Sequence, residues 1–362
     1  MTLSLYIARR FLWTFLLVFG TFFGLLLLID VIDQLRRGSG GMAVSQAAYL
    51  ALMNVPQNLY RILPLIMILA AIALFLALAR SSELVAVRAA GRSGLRFVLA
   101  PFGAALAVGL LAVAVLDPLV AATSKEYARM AGSTGGQSVL SVTAEGLWMR
   151  QGDAAGQSVI RAARAAPDGT RLDDVTFFLF SPEGLATGRV EAKSAELEAG
   201  SWKLSGAKRW DLTDPNPEAT AQNQPEDTRL PTDLTPERIR DGFGVPSTIA
   251  FWDLPKYIRE LEDAGFSARS YRVWMQMELA LPLLLGAMVL VAAGFTMRHA
   301  RFGRTGQLTL LALAAGFALF FLRNFAQVLG ENGQIPILAA AWSPPVAALL
   351  LSIALLLHVE DG

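Results

Sequence analysis

The sequence predicts an α-helical membrane protein with six transmembrane helices and an inserted all-β, jellyroll-like domain. Three observations predict this fold class: six long uncharged apolar runs, a polar block between the third and fourth runs, and strand-like periodicity within that block. Of the 362 residues, 54% are hydrophobic and 17% are charged, and the mean hydropathy is +0.46. This balance is typical of membrane proteins rather than of soluble globules.

Each apolar run has at least 18 residues without Asp, Glu, Lys or Arg. As an α-helix rising about 1.5 Å per residue, such a run crosses a hydrocarbon core of roughly 30 Å. The first run follows Arg9 and Arg10 as in a signal peptide, but it is too long and Leu27-Leu28-Ile29-Asp30 offers no small-residue cleavage site. We therefore expect an uncleaved first span. The six runs are residues 11–29, 62–79, 97–116, 279–297, 305–322 and 332–359.

The runs divide the chain into three parts: spans one to three in residues 1–116, a β-rich domain in residues 117–270, and spans four to six in residues 271–362. In the middle part, short β-type runs are separated by turn signals such as Pro167-Asp168-Gly169, which favours an antiparallel sandwich or roll. Five prolines among polar residues predict a loop over 213–240, and Pro255 predicts a connector helix over about 255–264.

Arginine is distributed unevenly between the two ends of the predicted spans. Cytoplasmic loops are enriched in Lys and Arg, and long translocated domains do not affect this bias. With both termini in the cytoplasm, the cytoplasmic short segments hold nine arginines and the opposite short loops hold four, Arg36, Arg37, Arg61 and Arg323. This predicts an inner-membrane protein whose middle domain is periplasmic. The nine are Arg9, Arg10, Arg80, Arg88, Arg92, Arg96, Arg298, Arg301 and Arg304.

The sequence argues against several classes of function. Residues 118–269 carry a net charge of −5, and the remainder carries +6, so the domain lacks the basic stripe of a nucleic-acid binder. There is no Cys, and the only histidines, His299 and His358, belong to no metal-binding motif. A nucleotide-binding Gly-x-x-x-x-Gly-Lys-Ser/Thr loop and a nucleophile elbow are also missing from the sequence. We therefore expect a chain that is not an enzyme and binds no cofactor or metal.

The loop between the second and third spans predicts a short helix at residues 82–91. Ser82 can cap its first turn and Gly91 can end it. Apolar groups on such a helix suit docking into a groove on a cytosolic motor, and they suit an interfacial position on lipid headgroups equally well. The candidate coupling residues are Glu83, Leu84, Val85, Val87, Arg88, Ala90 and Gly91.

Charged residues near the ends of the spans form a second candidate site. Arginine binds phosphate through two parallel hydrogen bonds, which favours contact with an anionic lipid headgroup. The alternative is ordinary snorkelling of long side chains at helix ends. Charges within spans usually face a cavity or a partner. The candidates for a lipid-binding cavity are Asp33, Arg36, Arg37, Arg61, Lys125, Arg129, Arg272, Glu278 and Arg323.

Several short motifs resemble the LptF/LptG permease family of the lipopolysaccharide transporter. Asp33-Gln34-Leu35-Arg36-Arg37 is similar to the end of the first span in the LptG branch. Ser82-Glu83-Leu84-Val85 with Ala90-Gly91 looks like the family's coupling-helix stretch, and Gly146-Leu147-Trp148 looks like its entry into the β domain. The resemblance covers almost the whole chain and includes the arrangement of three spans, a β domain and three spans.

This resemblance implies a function that composition alone does not give. It implies a permease that pairs with an LptF-like subunit on a dimer of the ATPase LptB, which holds the ATP and magnesium. The complex would extract lipopolysaccharide from the inner membrane and pass it to the periplasmic bridge of LptC and LptA. Glu83 would couple to LptB, the first and fifth spans would form lateral gates, and Arg36, Arg37 and Arg129 would contact phosphorylated lipid A. The alternatives are a permease for another lipid or lipoprotein, and a membrane scaffold that transports nothing.

Overall fold

A computed structural model describes residues 2–37, 43–81, 94–130, 140–143, 146–153, 156–166, 169–182, 184–219, 221–236, 239, 245–297 and 305–361. The chain divides into two compact units. The helical unit comprises Met1–Ala131, Ser247–Trp252 and Arg269–Gly362, and the β unit comprises Gly132–Pro246 and Asp253–Ala268.

Nine α-helices occur in the described residues. A π-helical turn at Ala112–Leu116 joins the fourth to the fifth, and the sixth belongs to the β unit. The helices are α1 Thr2–Arg37, α2 Val44–Arg61, α3 Leu63–Arg80, α4 Gly94–Leu111, α5 Asp117–Met130, α6 Leu254–Asp263, α7 Arg269–Thr296, α8 Thr305–Glu331 and α9 Ile337–Asp361.

The six predicted spans are confirmed. Six helical stretches in the described part of the chain are long and apolar enough to cross a membrane. They are Leu3–Arg37, Leu63–Arg80, Arg96–Met130, Arg269–Thr296, Gly306–Glu331 and Ile337–His358. The first and third are 35 residues each, or roughly 52 Å as helix, which is longer than the hydrocarbon core requires.

Helix α7 forms the centre of the helical unit and packs against α3, α4, α8 and α9. Small residues let the neighbouring helices approach it closely, as membrane helices commonly do. A Cβ atom on Gly109 of α4 would lie 2.4 Å from the Cα atom of Pro282 in α7. Leu285, Ala287 and Met288 are fully buried there. Helix α1 is much less enclosed, with most of its apolar surface exposed within this chain.

The helical unit has one end where α1, α5 and α8 terminate and α7 and α9 begin, which we call the insertion end. Helix α2, which the apolar runs did not predict, lies here and packs against α1 and α5. Asn54 Nδ2 donates to Asp30 Oδ1 at 2.9 Å, and Gln34 Nε2 donates to Tyr127 Oη at 2.8 Å. Because α5 packs on these helices, the β unit begins after residue 131 in the structure, and not at residue 117 as the charges suggested.

The β unit contains a nine-stranded antiparallel sheet, which confirms the predicted inserted all-β region. Its core holds fully buried Met149, Ile160, Phe177 and Trp202, and the rings of the last two are 6.5 Å apart. The strands are β1 Leu140–Thr143, β2 Gly146–Asp153, β3 Gly156–Ala165, β4 Arg171–Phe180, β5 Ala186–Glu198, β6 Ser201–Ser205, β7 Lys208–Asp211, β8 Gln222–Asn223 and β9 Thr228–Pro231.

Consecutive strands pair from β1 to β6, and β9 follows β6 in the sheet. The long β5 pairs with β7 through residues 188–191 and with β6 through residues 194–198. Two hydrogen bonds show that the sheet curls back on itself. Gln151 of β2 donates to the carbonyl of Pro231, the last residue of β9, at 3.3 Å and accepts from Thr232 Oγ1 at 2.5 Å. The two sides of the sheet therefore meet beside Gln151 and form a roll.

At one level of the sheet, the alternation of buried and exposed residues along β4 and β5 slips by one position. On β5, Val190 and Ala192 are buried, and the next buried residue is Ala195 instead of Ser194. The same slip occurs on β4 between Leu172 and Val175, around Asp174, whose φ is +52°. A non-glycine residue with positive φ reverses the local alternation of the pleat. The strands remain continuous through this level.

The prediction of a loop over 213–240 is wrong in part, because β8 and β9 lie within it and pair with β7 and β6. Helix α6 is confirmed at the predicted place. It buries Leu254, Ile258 and Leu261, and the carbonyl of Ala264, just after it, accepts a hydrogen bond from the N–H of Ala165 at 2.8 Å. The connector helix is therefore part of the β unit.

Candidate functional site

Four polar residues flank the uncharged runs at the insertion end, and two of them, Tyr60 and Glu278, lie within electrostatic range of each other and of the other two. We call Tyr60, Asp117, Glu278 and Arg323 the boundary cluster. Glu278 is nine residues into α7, and Arg323 is eight residues before the end of α8. Each is therefore about 12–14 Å along its helix from the insertion end. Both residues directly adjoin an uncharged run, residues 279–297 for Glu278 and residues 305–322 for Arg323.

Glu278 is the most buried member of the cluster, with 0% of its surface exposed. Its Oε2 accepts a short hydrogen bond from the hydroxyl of Tyr60, the penultimate residue of α2. Its Oε1 has no hydrogen-bond partner in the described part of the chain. A buried carboxylate is stable only when it is paired or neutralised, so the open oxygen marks a site that another group can complete.

Arg323 supplies the positive charge of the cluster. It is partly buried on α8, and its guanidinium lies within electrostatic range of Glu278 and Tyr60. With the residues that the structure describes, this guanidinium forms no hydrogen bond or ion pair. Glu278 and Arg323 are therefore two oppositely charged groups within electrostatic range, and each has unused hydrogen-bonding capacity.

Asp117 begins α5 directly after the π-helical turn and is 1% exposed. Its Oδ2 accepts the backbone N–H of Phe251 at 2.6 Å, and Nε1 of Trp252 donates to the carbonyl of Ala114 at 3.2 Å. A π-helical turn departs from the regular i→i−4 pattern and often marks a functional position. These contacts attach the segment Ser247–Trp252 to the junction of α4 and α5.

Three of the remaining predicted cavity residues, Asp33, Arg37 and Arg129, take part in ion pairs elsewhere at the insertion end. Asp33 and Arg37 form an ion pair at 2.7 Å in the last turn of α1, and Arg129 binds both oxygens of Glu126 in α5, the shorter contact being 2.6 Å. These pairs reduce the charge available to a ligand. The other four, all exposed, are Arg36, Arg61, Lys125 and Arg272.

Arg272 and Glu278 were grouped by sequence because both open the fourth span, but they occupy different environments. Arg272 is exposed, whereas Glu278 is fully buried. Six residues of α-helix turn by about 600°, so the two side chains point in different directions. The sequence did not identify Tyr60 and Asp117 as site residues. Their position in the sequence could have indicated them, because each lies within two residues of an uncharged run.

The seven candidate coupling residues Glu83, Leu84, Val85, Val87, Arg88, Ala90 and Gly91 lie outside the described residues. Their role stays a prediction. In the described ranges no group of three or more His, Cys, Asp or Glu is arranged to hold a metal ion.

Comparison with known proteins gives the cluster its context. Residues 5–358 match the family described as "Lipopolysaccharide export system permease LptF/LptG". The chain belongs to the LptF/LptG family. This match extends over the spans, the β unit and the boundary cluster, so the resemblance seen in the short motifs is confirmed. Membership and the six spans together make the chain a multi-pass inner-membrane protein.

Two relatives illustrate the similarity. The "Lipopolysaccharide export system permease protein LptG" of Escherichia coli K12 is 26% identical over 361 residues, with 98% of each chain covered. The protein of the same name from Haemophilus influenzae is 24% identical over 354 residues, with 96% of this chain and 95% of the relative covered. The members of this family are permeases of an export system, which implies work with other components of that system.

Proposed function

We propose that this chain is the transmembrane permease subunit of an ATP-driven lipopolysaccharide exporter. It extracts lipopolysaccharide from the inner membrane and passes it to a periplasmic bridge. The observation that carries this proposal is the family match over residues 5–358, together with LptG relatives that align over nearly their full length. Because both relatives are named LptG, we assign the chain to the LptG side of a pair with an LptF-like subunit.

The proposed partners are those that the family resemblance implies, and the energy that extraction requires supports a motor among them. Removing each buried CH₂ group from hydrocarbon costs about 0.8 kcal/mol, so a lipid with several acyl chains needs an external source of energy. We assign that source to a cytosolic LptB-like ATPase dimer that binds ATP and magnesium. Its closure would move the coupling residues around Glu83, narrow the cavity between the two permeases and expel lipid towards LptC and LptA.

The proposed orientation places both termini in the cytoplasm and the β unit in the periplasm. The support is the excess of arginine in the short loops on one side. The absence of Cys allows a direct test, because single cysteines at Gly91 and Leu185 would be the only reactive thiols. Leu185 is 70% exposed in the β unit. A membrane-impermeant maleimide added to intact spheroplasts should label Leu185→Cys and spare Gly91→Cys. Equal labelling of both would contradict the orientation.

The exposed cations at the insertion end, Arg36, Arg61 and Lys125, are proposed to meet phosphate groups of the lipid as it enters. Arg37 and Arg129 are proposed to do so by exchanging their carboxylate partners for phosphate, because both ion pairs lie on the surface and such pairs contribute little stability. Arg272 and Arg323 extend the same positive charge to the start of α7 and the end of α8.

The decisive experiment is purification of the chain from its native membrane with everything it holds. A permease subunit should bring down a soluble ATPase in stoichiometric amount, and native mass spectrometry of the complex should show bound lipopolysaccharide. A complex without an ATPase would indicate a scaffold. A complex that carries a lipoprotein or another lipid would indicate a different exporter.

A further inference from the structure

The side chain of Trp252 combines a fixed indole N–H with a ring that the chain leaves largely uncovered. Its Nε1 atom donates to the carbonyl oxygen of Ala114 at 3.2 Å, and 63% of the residue is exposed. Phe251 also contacts the ring, with 5.3 Å between the two ring centroids in an edge-on arrangement, and the N–H of Phe251 is itself bound by Asp117. The exposed ring is therefore held in one position.

The sequence explains why an indole N–H is useful at Ala114. In a regular α-helix the carbonyl of this residue would accept the N–H of residue 118, but Pro118 has no N–H. Unpaired backbone groups are costly within an apolar span, so a carbonyl that loses its donor to a proline is commonly satisfied by a neighbouring group. Trp252 supplies such a donor. The bond uses the only hydrogen-bonding atom of the indole, so whatever covers the rest of the ring must do so by apolar contact.

Trp252 lies on a face of the third span that the described residues leave open. Ala114, which accepts its N–H, belongs to a row of exposed positions on α4 and the π-helical turn. The members of this row are three or four residues apart, so they share one face of the helix. They are Leu99, Gly103, Ala107, Leu110 and Ala114. The row extends along nearly the whole uncharged run, so this face meets either lipid or another membrane helix.

The same face changes from apolar to charged beyond Trp252. Leu119 is still 51% exposed, and the exposed side chains further along α5 include Lys125 and Arg129. The uncharged run itself ends at residue 116, two residues after Ala114. Tryptophan is enriched where the apolar layer of a bilayer meets water, because its ring is amphipathic. An exposed tryptophan at this transition is typical of a residue that contacts the lipid interface.

We propose that Trp252 docks into the lipid bilayer beside the third span, at the interface between the headgroups and the acyl chains. The occupant of the open face is bilayer lipid. The segment Ser247–Trp252 is held between that lipid and the junction of α4 and α5, so the bilayer fixes the level at which the chain re-enters the helical unit. This inference goes beyond the proposed function and does not depend on which lipid the protein transports.

The first test measures quenching of tryptophan fluorescence in the complete complex, reconstituted in phosphatidylcholine bilayers. The chain has seven tryptophans, and the signal of Trp252 is the difference between the wild type and Trp252→Phe. Phosphatidylcholine that is brominated near the headgroup end of its chains should quench most of this difference signal. Lipid brominated at the chain ends, and iodide in the water, should quench it much less. Trp202→Phe is the matched control, because Trp202 is fully buried and its difference signal should respond to none of the three quenchers.

Three results of this test would overturn the proposal. Strongest quenching by iodide would place the ring in water, and strongest quenching by bromine at the chain ends would place it in the middle of the bilayer. No quenching by any of the three would place it beneath a partner subunit.

A second test leaves Trp252 intact, so it does not depend on the folding of a variant at that position. The chain has no Cys, so a nitroxide can be attached at Val115→Cys on the open face and, as a control, at Leu185→Cys in the β unit, once the cysteines of the partner subunits are replaced. Val115 is 57% exposed and Leu185 is 70% exposed. The label at position 115 should collide more with oxygen, which concentrates in lipid, than with a water-soluble nickel chelate, and the label at position 185 should show the reverse. A label at position 115 that is shielded from both would show that another protein covers this face, and one that meets the chelate more often would show that water does; either result would overturn the proposal.

Discussion

The carboxylate of Asp117 accepts the backbone N–H of Phe251 at 2.6 Å, although 134 residues and the whole β unit separate them in sequence. The next residue, Trp252, donates its indole N–H to the carbonyl of Ala114. Both acceptors belong to the short stretch where the π-helical turn meets α5. Phe251 and Trp252 thus bind the junction of α4 and α5 in the helical unit, directly before the chain enters α6.

Asp117→Ala should destabilise the protein, because the N–H of Phe251 loses its acceptor in a half-buried position. The expected loss is about 1–3 kcal/mol in the free energy of unfolding, which should appear as a lower Tm of the purified protein. Asp117→Asn is the matched control. Its side-chain oxygen can still accept the bond, and it removes a buried charge, so its Tm should equal or exceed that of the wild type. An equally large loss in Asn and Ala would show that the charge, and not the bond, stabilises this junction.

Gly109→Ala should disturb the contact between α4 and α7. The added methyl would lie 2.4 Å from the Cα atom of Pro282, so the two helices must separate. Overpacking of this kind costs about 1–3 kcal/mol. Gly103 lies on the same helix with nothing within 4 Å of its missing Cβ, so Gly103→Ala should be neutral or stabilising by up to about 1 kcal/mol through helix propensity. Similar Tm values for the two variants would contradict the close approach of the helices.

The spans were predictable from sequence because the bilayer requires long uncharged helices, and the runs at 62–79 and 279–297 fall almost entirely within α3 and α7. The helix ends were not predictable in this way. Asp117 ends an uncharged run, but it is buried and the helix continues through it to Met130. Charge marks the edge of the apolar layer, and helical hydrogen bonding extends beyond that edge.

Helix α2 and two members of the boundary cluster, Tyr60 and Asp117, were not predicted from the sequence for a related reason. Residues 44–61 contain Asn54, Pro56, Gln57 and Asn58, so they resemble a polar loop when read for hydropathy alone. Their buried face becomes visible only when α1 and α5 are packed against it. The pairing of Tyr60 with Glu278 joins residues 218 positions apart, and no local pattern encodes such a contact.

Glu83→Arg should uncouple lipid release from ATP turnover, because it reverses the charge at the start of the proposed coupling helix. In a reconstituted exporter we expect ATP hydrolysis to continue while lipid extraction falls. Glu83→Gln is the milder comparison, since it removes the charge without reversing it, and its defect should be smaller. Extraction at the wild-type rate by Glu83→Arg would remove this residue from the coupling mechanism.

Gly265→Ala should destabilise the β unit more than Gly184→Ala does. Both glycines have positive φ, +92° and +84°, so any side chain costs roughly 1–2 kcal/mol of backbone strain at either position. Of the two, only Gly265 also lies against a strand, β3, where an added Cβ would be 2.1 Å from the carbonyl oxygen of Ala165. That oxygen belongs to backbone and cannot move aside cheaply, and the shift would break the adjoining bond from Ala165 N–H to the carbonyl of Ala264. Thermal unfolding of the full-length variants should therefore show a clearly lower Tm for Gly265→Ala than for Gly184→Ala. An equal fall in Tm for the two variants would mean that backbone strain alone determines the effect. In that case α6 would not depend on the contact between Gly265 and Ala165.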